Sequence, residues 1–316
     1  KNKALIPSER KKYPSIRPYG VSPDLRYELI VKEYNLWLED KEQKKQVQLT
    51  FDGDKDYEFE TANTEWLSDD GTFYLTREDK RNIRTFPLVY SLREPAPTVS
   101  EYKYELPGDT AVLKQELFIG NVKTGIFKQW DVVKWRGQLL EVLKVADVQD
   151  RVFFIRKKGT RNEFELCSVD AKTGEVKVIL HEVSKPYLNE ELFSCRVLNG
   201  GKDILLWSDR SGWGHYYHYD GNGKLLNSVT SGEWTAGRIM KIDTVKKQIY
   251  LYGFGKEKGR NPNYTYLYRV GFNGKRLTLL TPENATHSTF VHLGGGLIVD
   301  NFSRIDTVPQ ISVRDI

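Results

Sequence analysis

One turn recurs along this chain and constrains its fold more than any other feature. Lys123-Thr124-Gly125, Lys172-Thr173-Gly174, Asn222-Gly223-Lys224 and Asn273-Gly274-Lys275 each separate two stretches of alternating apolar residues. The glycines Gly125, Gly174, Gly223 and Gly274 are spaced by 49, 49 and 51 residues. Glycine reaches the positive φ of a tight hairpin without the steric cost that a Cβ imposes. A hairpin turn that returns every ~40–50 residues is the signature of repeated four-stranded blades. The spacing predicts an all-β fold, a β-propeller of four-stranded antiparallel blades, five to eight in number, with the last incomplete in these residues.

The strand alternation fills in the repeats. A first repeat is expected at 27–32, 34–39 and 47–50, and a second at 72–76 and 112–119, split by an insertion at 77–110 that carries Pro87, Pro95, Pro97 and Pro107. Cleaner repeats follow at 151–156, 163–169 and 176–180, then 203–208, 215–219 and 225–229, then 248–252, 265–270 and 277–280. A sixth begins at 297–300 and 310–314. The outer strands tend to close on a Leu/Val-Thr pair: Leu49-Thr50, Val229-Thr230 and Leu280-Thr281. Residues 1–20 are basic and proline-punctuated and read as an extended lead-in, leaving 21–316 for the propeller. No stretch carries a sustained helical stripe, so a mixed α/β enzyme core is not encoded here.

The 316 residues, 39% hydrophobic, suffice for a large core. The 48 Lys and Arg and 43 Asp and Glu are interspersed, giving a net charge of +5. The nearest thing to a basic block, Lys41 to Lys45, falls at an expected hairpin turn. That pattern is a solvated surface, not the concentrated stripe that a nucleic-acid partner needs. Cys167 and Cys195 are too few for a disulfide framework, and Cys167 sits where a strand buries a small residue. No apolar run has transmembrane length and no secretory leader opens the chain. The chain begins without methionine and keeps strand alternation to Ile316, so it is expected to be a piece of a longer protein.

Several strings imitate catalytic motifs. Gly20-Val21-Ser22-Pro23-Asp24 lacks the second glycine of a nucleophile elbow and has proline where the helix should begin. Ser8-Glu9-Arg10-Lys11 fits S-x-x-K, but Pro14 cuts short the helix that chemistry requires. His215 and His218 stand three apart on an expected strand, so they point to opposite faces and cannot share a metal. Glu190-Glu191 is an adjacent acidic pair that reads as a solvated loop. No metal site and no cofactor site is expected.

The run Ser208-Asp209-Arg210-Ser211-Gly212-Trp213-Gly214-His215-Tyr216-Tyr217-His218-Tyr219-Asp220 leads on to Gly223-Lys224 and Thr230-Ser231-Gly232-Glu233-Trp234. Together they resemble the N-terminal propeller of the dipeptidyl peptidase IV branch of the prolyl oligopeptidase family of serine peptidases. The likeness continues in order through Gly255-Lys256-Glu257-Lys258-Gly259-Arg260-Asn261-Pro262, Leu267-Tyr268-Arg269-Val270, Leu280-Thr281-Pro282-Glu283 and Phe302-Ser303-Arg304-Ile305-Asp306-Thr307-Val308-Pro309. Within the insertion, Leu92-Arg93-Glu94-Pro95-Ala96-Pro97-Thr98, Tyr102-Lys103-Tyr104 and Pro107-Gly108-Asp109 are similar to bacterial members.

The resemblance implies a catalytic α/β-hydrolase domain in cis, beyond Ile316 and absent from this chain, whose active site the propeller covers and to which it admits peptide substrates. It also implies a carboxylate anchor for the substrate's free amine upstream of the turn Trp66-Leu67-Ser68-Asp69-Asp70-Gly71, which points to Glu58 and Glu60 in Asp56-Tyr57-Glu58-Phe59-Glu60. A periplasmic or secreted parent follows from the same likeness. Association into a homodimer through an open blade edge is a further expectation. The competing reading is a stand-alone propeller that binds protein as a scaffold.

Overall fold

The computed structural model describes residues 19–67 and 71–316. The lead-in therefore lies outside the described residues except for Tyr19 and Gly20, as do residues 68–70 of the turn after Trp66. The chain divides into two compact units, Lys1–Gln138 and Leu139–Ile316.

In the first unit, β1 (Tyr27–Lys32), β2 (Asn35–Asp40) and β3 (Lys45–Gln48) form a three-stranded meander. A four-stranded sheet follows, made of β4 (Glu65–Trp66), β5 (Thr72–Asp79), β8 (Lys114–Asn121) and β9 (Ile126–Trp130). Between β5 and β8 the insertion forms its own hairpin, β6 (Thr85–Tyr90) with β7 (Thr98–Lys103), whose residues are nearly all exposed. Strand β5 runs three residues past Thr76, where the sequence placed its end, because Arg77 and Asp79 find partners in the folded chain.

The second unit holds three four-stranded antiparallel sheets and one three-stranded sheet. They are β10 (Leu139–Leu143) to β13 through β11 (Arg151–Lys157) and β12 (Glu163–Asp170), with β13 at Val176–Val183. Next come β14 (Cys195–Leu198), β15 (Asp203–Ser208), β16 (His215–Asp220) and β17 (Leu225–Ser228). Then follow β18 (Thr235–Asp243), β19 (Gln248–Phe254), β20 (Tyr266–Gly271) and β21 (Thr278–Leu279). The last sheet is β22 (Thr286–His292), β23 (Leu297–Arg304) and β24 (Thr307–Asp315). Each is a meander in sequence order, the blade of a β-propeller.

Strand periodicity explains the core. In β15, Ile204 and Leu206 pack with Phe153, Ile155, Phe164 and Leu166 of the preceding blade. The intervening Leu205 and Trp207 point the other way, into a cluster with Ile249, Leu251 and Val270 of the following blade. A middle strand covered on both faces is buried along its whole length, as β15 is, whereas the outermost β17 stays largely exposed.

The Leu/Val-Thr pairs have one shared job. Leu49, Val229 and Leu280 donate their backbone N–H to the carbonyls of Leu36, Tyr216 and Leu267, each at 2.8 Å. The next threonine then turns its hydroxyl inward to accept the N–H of that same residue, at 2.9 Å for Thr50, 3.1 Å for Thr230 and 2.8 Å for Thr281. The side chain satisfies a buried donor where the outer strand leaves the ladder.

The recurring glycines also do more than turn. Gly125 and Gly223 both hold positive φ, +68° and +85°. A Cβ on Gly125 would meet open space, while one on Gly223 would lie 1.9 Å from the backbone oxygen of Ile179 on β13 of the preceding blade. A Cβ on Gly274 would likewise lie 2.6 Å from the backbone oxygen of Ser228 on β17. Gly125→Ala is therefore expected to cost about 1 kcal/mol, the left-handed backbone alone. Gly223→Ala should cost about 2–3 kcal/mol because two blades must also separate. Urea midpoints of the two variants check this, and equal losses would refute the close blade contact.

Candidate functional site

Residues 52–60 cross from the first sheet to the second, and a single arginine holds them in place. Arg77 projects from β5 with only 3% of its surface exposed. Its guanidinium makes a fork on Asp52, with Nη1 to Oδ1 at 3.0 Å and Nη2 to Oδ2 at 3.1 Å. Nη2 also donates to the Tyr57 hydroxyl, which in turn donates to Glu116 Oε2 at 2.7 Å. Glu116 is the cross-strand neighbour of Arg77 on β8, and its carboxylate lies 3.6 Å from Arg77 Nε. Three rings complete the cage, with the guanidinium carbon 3.4 Å from the centroid of Tyr57, 4.5 Å from Phe59 and 4.8 Å from Phe118. A cation over aromatic faces in a desolvated setting is held far more firmly than one at the surface.

The electrostatics agree with the geometry. The hydrogen bonds from Arg77 hold the Asp52 carboxyl below the usual carboxylate range against the opposing effect of burial. Burial, aided by the bond to Glu116, pushes the Tyr57 phenol well up, so it stays a neutral donor. An antiparallel bridge from Phe59 to Arg77 and the bond from the Lys80 N–H to the Asp56 carbonyl at 2.9 Å fix the backbone of the segment beside β5.

The segment alternates as a strand does. Tyr57 and Phe59 are buried at 4% and 2% exposure, and Glu58 and Glu60 are exposed. Residues two apart on extended chain share a face, about 6.6–7 Å apart, whereas sequence neighbours diverge. The two carboxylates named from the sequence thus lie on one side of a braced segment, facing solvent. Among the described residues neither forms an ion pair; Glu60 Oε2 accepts a long 3.4 Å bond from Asn63 Nδ2. Arg77 itself, the residue that organises this region, was not singled out by sequence.

The other motif residues are structural. His215 Nδ1 meets Thr230 Oγ1 at 3.0 Å and Nε2 meets the Gly232 carbonyl at 2.9 Å, with Trp234 edge-on at 5.4 Å. Burial pushes the His215 imidazole pKa down, which keeps the ring neutral between these partners. His218 instead binds Asp203 Oδ1 at 2.7 Å, so the two histidines serve different neighbours, as strand geometry requires. Arg210 reaches across to Glu182 on the preceding blade and packs over Tyr217 at 4.4 Å. Glu190 pairs with Arg161 at 2.8 Å in an exposed loop, and both cysteines are free and buried.

Glu283, His287 and Asp300 offer a trio of potential metal-ligand atoms within 4.8 Å of one another, which the sequence reading did not mark. His287 uses Nδ1 on Asp300 and Nε2 on the Glu283 carbonyl, both at 3.0 Å. Arg314 lies 2.6 Å from the Glu283 carboxylate and 3.5 Å from that of Asp300. A guanidinium already supplies the cation these carboxylates pair with, so the cluster is an ion-pair network that ties the last sheet to the turn before it.

The meandering antiparallel sheets are the blades of a β-propeller, and comparison with known sequences places it in a family. Residues 3–309 match the family described as the dipeptidyl peptidase IV (DPP IV) N-terminal region, and the chain belongs to that family. It is 29% identical over 153 residues to dipeptidyl peptidase 4 of Trichophyton rubrum, covering 47% of this chain and 19% of that protein. The corresponding protein of Trichophyton equinum is 30% identical over 114 residues, covering 35% of this chain and 15% of its own length. The crystal structure of Porphyromonas gingivalis dipeptidyl peptidase 4 superposes with a TM-score of 0.77 at 19% identity, over 93% of this chain and 43% of that one. The matches span about a fifth or less of these relatives' sequences and under half of the solved chain.

Proposed function

We propose that this chain is the non-catalytic propeller of a dipeptidyl-peptidase-IV-like serine exopeptidase. It gates access of peptides to a hydrolase domain in cis and binds the substrate's N-terminal ammonium through Glu58 and Glu60. Membership of the N-terminal-region family supports the domain's role. The observation that carries the site is the pair of outward carboxylates on a segment clamped by Arg77 and its aromatic cage. A preorganised acidic pair loses little on binding a cation, because the ordering is already built into the fold.

The test uses the longer protein that joins this chain to its peptidase domain. A charge-assisted contact contributes about 1.5–3 kcal/mol, or about ten- to a hundredfold in kcat/KM. Glu58→Gln, Glu60→Gln and the double variant are expected to lose that much on free-amine peptides and almost nothing on N-blocked ones. Equal losses on both substrates, or none, would leave the two glutamates as ordinary surface residues.

A further inference from the structure

The β14–β17 and β18–β21 blades flank a half-open cavity of about 500 Å³ that the amine-binding reading does not use. It lies where the β18–β19 and β20–β21 turns meet β16 and β17. Its charged walls are Lys246, Lys247, Lys275 and Arg276, and no carboxylate is among its lining residues. Lys247 reaches Asp203 Oδ2 at 3.3 Å, but among the described residues Lys246, Lys275 and Arg276 have no carboxylate within ion-pair distance. Gathering uncompensated cations around one concavity raises the free energy of the empty fold and creates a focused positive potential.

A buried group points the same way. His218 lines this cavity although its residue is only 7% exposed. Its Nε2 is committed to Asp203 at 2.7 Å, and Phe272 holds the ring edge-on at 5.4 Å. Burial pushes the Asp203 carboxyl up, but hydrogen bonds from Asn199, His218 and Lys247 outweigh it and hold the group below the usual range, as an anion. The dyad therefore holds the imidazole at a fixed place on the cavity floor, where its signal reports on an occupant.

We propose that this interblade cavity is a binding site for an oligophosphate, an anion of three or four charges, held by Lys246, Lys275 and Arg276 with His218 at its floor. The walls offer ammonium and guanidinium donors, which match phosphate oxygens in charge and geometry. A single carboxylate would leave most of the cations unpaired, and the volume lies in the range of small-ligand sites. The oligophosphate could be inorganic or the tail of a nucleotide; the phosphates are the shared chemistry.

Titration calorimetry of the whole chain in magnesium-free buffer, with inorganic tripolyphosphate in one arm and ATP in the other, tests this. One saturable site is expected in both arms; similar affinities assign recognition to the phosphates alone, and tighter ATP binding adds the nucleoside. Lys275→Gln/Arg276→Gln should weaken both probes by about tenfold or more, since two charge-assisted contacts are lost. Lys256→Gln/Lys258→Gln, on the β19–β20 loop at the opposite end of the same blade and with the same change of charge, should leave them within about twofold. Among the five histidines, the imidazole signal of His218 should move most on saturation with tripolyphosphate. No saturable binding below about 1 mM, equal weakening in both double variants, or an unmoved His218 signal would overturn the proposal.

Discussion

Replacing Arg77 with alanine is expected to cost about 3–5 kcal/mol, the penalty for breaking a buried pair from one side. The loss exceeds that of a surface ion pair for three reasons that act together. The guanidinium fills the space between Tyr57, Phe59 and Phe118, so its removal leaves a void among rings. Glu116, with its side chain 14% exposed, loses its cation. The Tyr57 hydroxyl keeps only its bond to Glu116, and the fork on Asp52 disappears. Arg77→Lys retains the charge but not the fork and should recover only part of the loss. Urea unfolding of both variants measures the effect. A second readout separates bracing from bulk stability: residues 52–60 should become a site of rapid proteolytic cleavage in Arg77→Ala under conditions where the rest of the chain resists. A loss under about 1 kcal/mol would mean that the cage is not the brace inferred for this segment.

That brace was hidden from sequence reading for a definable reason. The run Arg77-Glu78-Asp79-Lys80-Arg81 looks like the polar end of a strand, and the insertion was expected to open there. The charges belong to the strand because partners far along the chain, Asp52 and Glu116, neutralise Arg77. Periodicity reports burial only where buried positions are apolar, so a buried ion pair is silent to it.

The strands show the same division. Middle strands such as β11, β12, β15 and β19 were legible because neighbours cover both faces, which leaves near-continuous apolar runs. The first strands of the second unit's blades were not. Strand β14 reads Cys195-Arg196-Val197-Leu198 with Arg196 exposed, and β22 alternates exposed and buried from Thr286 to His292. Strand β14 has only four residues, and in β22 the buried positions include His287 and Thr289 while Phe290 is exposed, so no apolar alternation shows although Gly200 and Gly201 follow β14 and Gly294 and Gly296 follow β22. The repeats were thus readable from turns and middle strands, while the number of blades was bounded only between five and eight. Glu58 and Glu60 were marked as candidates only through family likeness, and their shared face shows only in the alternation with buried Tyr57 and Phe59.

The second large effect is expected at Asp300. Its side chain and that of His287 are both fully buried. Nδ1 of His287 sits 3.0 Å from each Asp300 oxygen, and Arg314 approaches Oδ2 at 3.5 Å. Asp300→Ala removes the partner of Nδ1, leaving the ring only its Nε2 bond to the Glu283 carbonyl and Arg314 only Glu283, at an expected cost of about 3–5 kcal/mol. Asp300→Asn keeps an oxygen that can accept from Nδ1 and loses only the charge, so about 1–2 kcal/mol is expected. The gap between the two variants in urea unfolding distinguishes a lost hydrogen bond from a lost charge. Because Arg314 already serves as the counter-cation, dialysis against a chelator should leave the unfolding midpoint of the unmodified chain where it was. A midpoint lowered by the chelator and restored by a divalent metal would mean that Glu283, His287 and Asp300 hold an ion instead. Asp300→Ala would then have to lose its destabilising effect once the metal is removed.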